Sequence, residues 1–317
     1  YDESKNINVL KKHFKLKNHT DIHLNSSKCF KDLKKITNHT QQPVFTISSL
    51  INFQIAKFSK KKKNLVMLSG LGSDELFAGY YFHYIYWLYD KFKNKDNFNF
   101  YLSEWQEGVG KYVRNNLLKK PINFFKNINE RTHLLNSHKN ITNLIIKKKR
   151  FTKVDFIDLN FNNNLLRNRM LNDVFRDCVP IILNQEDSNF MYHSVENRCP
   201  YLDSDLVRFA NTIPSEYLIH NGFTKFPLRN IARKYLPKII TEDKHKIGFN
   251  ASLSTIFDVT KKSNKAYCLE DSNIFNYVDK KKFKNFISKN NFHKSDINNK
   301  FLFNFISTKI FLESCND

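Results

Sequence analysis

Ile47, Leu50, Ile51 and Ile55 recur at helical spacing behind Pro43 and predict a helix over residues 47–58. Two shorter helical patterns precede it, at 6–14 and 30–36, with a short strand predicted at 21–24 between them. The pattern then changes. Leu65-Val66-Met67-Leu68 is an unbroken apolar run that breaks at Ser69-Gly70, which reads as a buried strand entering a tight turn. Helix, strand, helices, strand in that order predicts a parallel sheet with crossover helices. Beyond Ser73 the strand signals nearly vanish. Aromatic-rich helices are predicted at 75–92, 98–112, 163–174, 204–212, 227–235 and 299–312, and 136–148 reads as a loop plus a helix. No internal repeat is visible. The fold class is therefore α/β, the tail of a parallel sheet over 1–80 continued by a large helical region over 81–317.

Composition supports a globular, helix-rich chain of 317 residues: 41% is hydrophobic, and 30 Phe stand against 7 Gly and 7 Pro. The formal net charge of +22 raises a second class, a basic scaffold or nucleic-acid-binding protein. The basic runs Lys60–Lys63 and Lys147-Lys148-Lys149-Arg150 lack interleaved aromatics that would stack on bases. They are read as solvated faces, not as a nucleic-acid site. The five cysteines are scattered without C-x-x-C spacing, which argues against a disulfide framework or zinc site. No run reaches the length of a membrane span and no signal peptide is visible, so a cytoplasmic protein without a membrane partner is expected. Tyr1 in place of an initiating Met leads us to expect sequence upstream.

The chemistry begins where the apolar run ends. Ser69-Gly70-Leu71-Gly72-Ser73-Asp74-Glu75 reads as a glycine loop opening a helix N-terminus with two carboxylates, a geometry that holds phosphate and its metal ion. The Ser69 hydroxyl and loop N–H groups would meet phosphate oxygens, and Asp74 would offer Mg2+ the hard oxygen ligand it prefers. The same residues also suit a plain strand-to-helix turn capped by Ser73. A second motif runs from Glu186-Asp187-Ser188 through Glu196-Asn197-Arg198 to Pro200-Tyr201-Leu202-Asp203. Acid and base groups crowded between apolar residues suggest a buried ion network, structural as readily as catalytic. Third, Lys225 precedes a helix opened by Pro227; fourth, Lys244-His245-Lys246-Ile247-Gly248-Phe249 is a basic loop with a glycine. Either lysine could hold phosphate oxygens as a point charge, and either could simply be solvated.

The order of the four motifs is more specific than any one of them. SGLGSDELFAGY, EDSNFMYHSVENRCPYLD, TKFPLR and KHKIGF in sequence resemble the synthetase domain of the asparagine synthase family, and the resemblance spans essentially the whole chain. It implies a partial parallel sheet of the adenine-nucleotide α-hydrolase type. It also implies an enzyme that uses ATP to activate a carboxylate, aspartate by family weight, as an acyl-adenylate. Glutamine-derived ammonia then displaces AMP. The implied cofactors are ATP and Mg2+. The implied partners are the small-molecule carboxylate and an N-terminal glutaminase domain, upstream or on a partner chain, with a homodimer compatible. Carried over residue by residue, Ser69, Gly70, Leu71, Gly72, Ser73, Glu75 and Lys246 belong to the ATP and pyrophosphate site. Asp74 holds Mg2+, Lys225 neutralises the phosphates during catalysis, and Asp187, Glu196, Arg198 and Asp203 shape the site floor.

Two departures qualify what the resemblance implies. The family's serine-glycine-glycine-x-aspartate-serine loop is absent from 1–317 and is expected upstream, so this stretch alone should bind ATP poorly. Leu71 stands where asparagine-forming members usually carry a carboxylate, and leucine accepts no proton and binds no ammonium. The same adenylating chemistry on another carboxylate, in a surface polysaccharide or a peptide, is therefore the alternative.

Overall fold

Two three-residue strands, β1 (Val66–Leu68) and β2 (Glu196–Arg198), lie parallel, with Val66 opposite Glu196, Met67 opposite Asn197 and Leu68 opposite Arg198. The structure, a computed structural model, describes residues 3–115, 118–126, 128, 141, 143–146, 157–288 and 296–315. The architecture is α/β and mostly helical, with this pair as the only sheet among the described residues. The predicted strand at 65–68 is present from Val66, but it is not buried on both faces. Met67 packs with Ile55, Ala56, Phe190 and Val195, whereas Val66 and Leu68 are exposed. β2 carries no apolar run and was not expected. It forms because backbone bonds recruit it: Glu196 N–H donates to Leu65 C=O and Ser69 N–H donates to Arg198 C=O, each at 2.8 Å.

The helices ahead of β1 are α1 (Ser4–His13), α2 (Ser26–Thr40) and α3 (Ile47–Lys61). The segment 21–24 is not a strand. No described strand pairs with it, and Asp21 is drawn into ion pairs with Lys11 and His19. Lys60–Lys63 are exposed at the end of α3; the run 147–150 and most of the helix predicted at 136–148 lie outside the described residues.

After β1 the predicted helix 75–92 is two helices, α4 (Ser73–Leu76) and α5 (Tyr81–Lys93). The break has a local cause. Ala78 adopts a left-handed φ of 56°, which ends the helix, and a Cβ on Gly79 would strike the Asp74 carboxylate. Helices expected at 204–212 and 299–312 appear as Ser204–Thr212 and Asp296–Ser314. The helix Val179–Met191 was not expected; a π-helical turn, Asp173–Asp177, joins it to Leu165–Asn172. Such turns often mark functional segments.

Two cores flank the sheet. One joins α2 and α3 to the C-terminal helices through Leu33, Leu50, Phe283, Phe303 and Ile306. The other surrounds α5 with Tyr84, Ile85, Trp105, Leu166 and Leu218. Ala56, Phe190 and Val195 lie between them, under Met67. Phe283 is fully buried and stacks on Phe305 with ring centroids 3.9 Å apart. Replacing Phe283 by Ala leaves that space empty and is expected to cost about 3–5 kcal/mol in urea unfolding.

Candidate functional site

The loop that follows β1 is pinned before it reaches any charged residue. The Ser69 hydroxyl accepts from Leu71 N–H at 3.3 Å and lies 3.3 Å from the Cys199 sulfur. Gly72 takes a left-handed φ of 96°, and a Cβ there would sit 2.5 Å from Leu202, so the turn needs glycine on both counts. Gly70 has open space where a side chain would be. Ser73 then begins α4, a single turn. A helix so short contributes little dipole, and the charge of the site is carried by side chains.

Three segments meet at Asp74. Lys225 Nζ lies 2.8 Å from one carboxylate oxygen and Lys246 Nζ 2.8 Å from the other. Lys225 is itself held in the left-handed region, at φ 53°, a sparsely populated conformation for a lysine that carries a cost. Its N–H donates to Phe77 C=O at 3.1 Å, an acceptor freed by the break after α4. Lys246 is placed by Tyr81, whose hydroxyl accepts from Lys246 N–H at 3.0 Å and donates to its carbonyl at 3.2 Å. Burial alone would raise the Asp74 carboxyl and is the largest single influence. The charges and hydrogen bonds of Lys225 and Lys246 outweigh it and hold the group at about 2. The result is a carboxylate that stays ionised, flanked by two ammonium groups.

Glu75 faces the other way. It is 1% exposed and accepts from the Tyr80 hydroxyl and, at 3.1 Å, from the Cys178 thiol. It supports the loop from beneath. The second motif is not gathered into one buried network. Glu196 and Arg198 project from the open face of β2, both exposed, and pair with each other at 2.8 Å. Their alternate placement on a strand puts both on one face and out of the core. Asp203 caps the helix Ser204–Thr212 by accepting from Asp205 and Leu206 N–H, and Asp187 is exposed on its helix. The carboxylate that does reach the loop is Glu186, which was not singled out as a site residue. It accepts from Asn197 at 2.6 Å and Asn52 at 3.3 Å. Burial chiefly raises its carboxyl, against hydrogen bonds from Asn197, Asn52 and Ser69. Its signal was the helix Val179–Met191, on which it lies one residue from Asp187, toward β2 instead of solvent.

Beside β1 lies an open cavity of about 1120 Å³, lined in part by Ile51, Ile55, Phe58, Met67, Gly248 and Phe249. It is large enough for a nucleotide. No group of three or more His, Cys, Asp or Glu able to hold a metal occurs among the described residues. A single carboxylate on a phosphate loop fits Mg2+, which commonly takes one or two carboxylates and fills its shell with phosphate oxygens and water.

A strand, a glycine loop and two lysines converging on its carboxylate come together in one place. Comparison with protein families matches residues 1–304 to Asparagine synthase, and the chain belongs to that family. The family performs ATP-dependent adenylation and amidation, which makes this chain a ligase of that general class. A search of curated proteins found no match to the chain. No helix among the described residues is long and apolar enough to cross a membrane.

Because the folded Asp74 titrates below its ordinary value of 3.8, its ion pairs stabilise the fold fully above that pH. The contribution is lost as pH falls from 3.8 through about 2. Asp74→Asn should therefore lower the urea midpoint by a constant amount at pH 5–7, and the gap to wild type should close toward pH 2.

Proposed function

We propose that the site activates a carboxylate with ATP and then converts it to an amide. The observation that carries this reading is Asp74 held between Lys225 and Lys246 at the mouth of the glycine loop. The substrate carboxylate attacks the α-phosphorus; the bond to the bridging oxygen breaks and pyrophosphate leaves. Ammonia then attacks the acyl carbon, AMP departs with the electron pair of the C–O bond, and a proton is lost from nitrogen. Both early reactants are anions, so cationic groups must cancel their repulsion and receive the charge that builds on pyrophosphate. Lys225 and Lys246 supply that charge, with their nitrogens already gathered at Asp74. Asp74 would hold Mg2+ together with pyrophosphate oxygens, and the ion would supply Lewis-acid stabilisation of the leaving group.

Aspartate is the acceptor on this reading, glutamine hydrolysis the source of ammonia, and a glutaminase domain, upstream or on a partner chain, its supplier. The acyl-adenylate has to meet ammonia before water, which demands a closed site. Leu71 favours a second reading. It is an apolar side chain on the loop, between Gly70 and Gly72. A different carboxylate, one that needs no acidic partner at that point, fits it as well.

The natural polypeptide incubated with aspartate, glutamine and MgATP is expected to yield asparagine, AMP and pyrophosphate. AMP formation only with some other carboxylate rejects aspartate as the acceptor. Lys225→Ala should reduce turnover by about 10²–10³-fold, the scale of losing one charge-stabilising donor.

The second reading has its own check. Leu71→Glu leaves asparagine formation unimproved if aspartate is not the natural acceptor, and a large gain in asparagine rules that reading out.

A further inference from the structure

Asp74 and Glu75 are adjacent and do opposite things. Asp74 turns outward to two lysines, while Glu75 turns into the protein and is met there by two neutral donors. The third side of that contact is closed, because the Tyr80 hydroxyl lies 3.4 Å from the Cys178 sulfur. Burial first, and the nearby Glu75 carboxylate second, push both the Tyr80 hydroxyl and the Cys178 thiol upward, so both keep their protons to donate.

Each donor is fixed from behind. Cys178 ends the π-helical turn Asp173–Asp177 and donates its N–H to Asp173 C=O at 3.1 Å. The Asp173 carboxylate in turn bonds to fully buried His83 at 2.9 Å and to Arg169 at 2.8 Å. Tyr80 immediately precedes α5, and its ring lies 5.3 Å below the Lys246 ammonium. Gly79 packs so close to Asp74 that the carboxylate has little freedom of its own. Asp74 is the neighbouring residue, so a shift of Glu75 moves it relative to the two lysine side chains, whose backbone N–H groups are held by Phe77 C=O and the Tyr81 hydroxyl.

We propose that Tyr80 and Cys178 are positioning residues for the two-lysine anion site: through Glu75 they hold Asp74 where Lys225 and Lys246 both reach it. The functional consequence rests on the reading of that site given above; the clasp itself does not.

The experiment reads the clasp with and without ligand. In the ligand-free protein, acylation of individual lysines by an amine-reactive ester is followed by peptide mass spectrometry, with exposed Lys119 as the internal standard. Pyrophosphate binding, with Mg2+ present, is measured by calorimetry on the same samples. Cys178→Ala and Tyr80→Phe should raise labelling of Lys225 and Lys246 about fivefold and weaken pyrophosphate binding about tenfold, the scale of a lost hydrogen bond to a charged group. Cys178→Ser keeps a donor and should return both readouts toward wild type. Unchanged labelling of the two lysines, with only a lower urea midpoint, overturns the proposal and leaves the triad a plain packing contact. Raised labelling in the natural polypeptide, where its wild type binds no pyrophosphate, supports the clasp and rejects the adenylation reading. If Cys178→Ala does not fold, Tyr80→Phe and Cys178→Ser carry the same comparison.

Discussion

The arrangement around Asp74 depends on one carboxylate standing between two ammonium groups. Two lysine nitrogens brought this close repel each other by several kcal/mol at the effective dielectric of about 20 that describes half-exposed sites. Asp74 cancels that repulsion while the site is empty and leaves a net positive charge of one. On the reading proposed above, an arriving polyphosphate would find two cations already gathered. Their placement is set by backbone contacts that do not involve Asp74: Lys225 through Phe77, Lys246 through Tyr81.

Several costly features become intelligible from this constraint. The lysine at 225, in its left-handed conformation, sends its N–H to Phe77 and its side chain to Asp74. The helix after β1 stops after one turn because Phe77 has to leave its carbonyl free. Gly79 has no side chain because a Cβ would strike Asp74. Locally each of these is unfavourable, and the surrounding packing of α5 over-determines them. Two of the nine non-glycine left-handed φ values among the described residues, at Ala78 and Lys225, fall at this site.

What the sequence made legible follows the range of its signals. The apolar run into two glycines announced the strand and loop, because burial and turn geometry are local. The helices 204–212 and 299–312 were legible from their own periodicity. β2 was not, since Glu196-Asn197-Arg198 becomes a strand only by pairing with residues far away in the chain. The expected ion network failed for the same reason: alternation on a strand sends Glu196 and Arg198 to solvent, and no local pattern reveals which face is open. Motif order assigned Asp74, Lys225 and Lys246 to one site, but the pairing of both lysines with Asp74 was not expected, because a lone lysine at a helix start is usually solvated. The contacts of Glu186 with Asn52 and of Cys178 with Glu75 were not readable, since each joins residues more than a hundred positions apart.

The open face of the sheet bears on how the chemistry is sheltered. Parallel strands are ordinarily covered on both sides, because their crossover connections place helices there. Here Met67 is covered while Val66 and Leu68, both large and apolar, face outward beside a polar pair, Glu196 and Arg198. On the reading proposed above, an acyl-adenylate formed at the end of such a strand would lie near solvent, where hydrolysis would compete with ammonia. The glutaminase part proposed above would therefore have two tasks. It would deliver ammonia, and it would close the exposed side of β1 so that the lysines act in a drier, lower-dielectric space where their charge counts for more. The apolar character of Leu71, on the same loop, suits that closed state better than a carboxylate would, since an unpaired charge sealed away from water is costly.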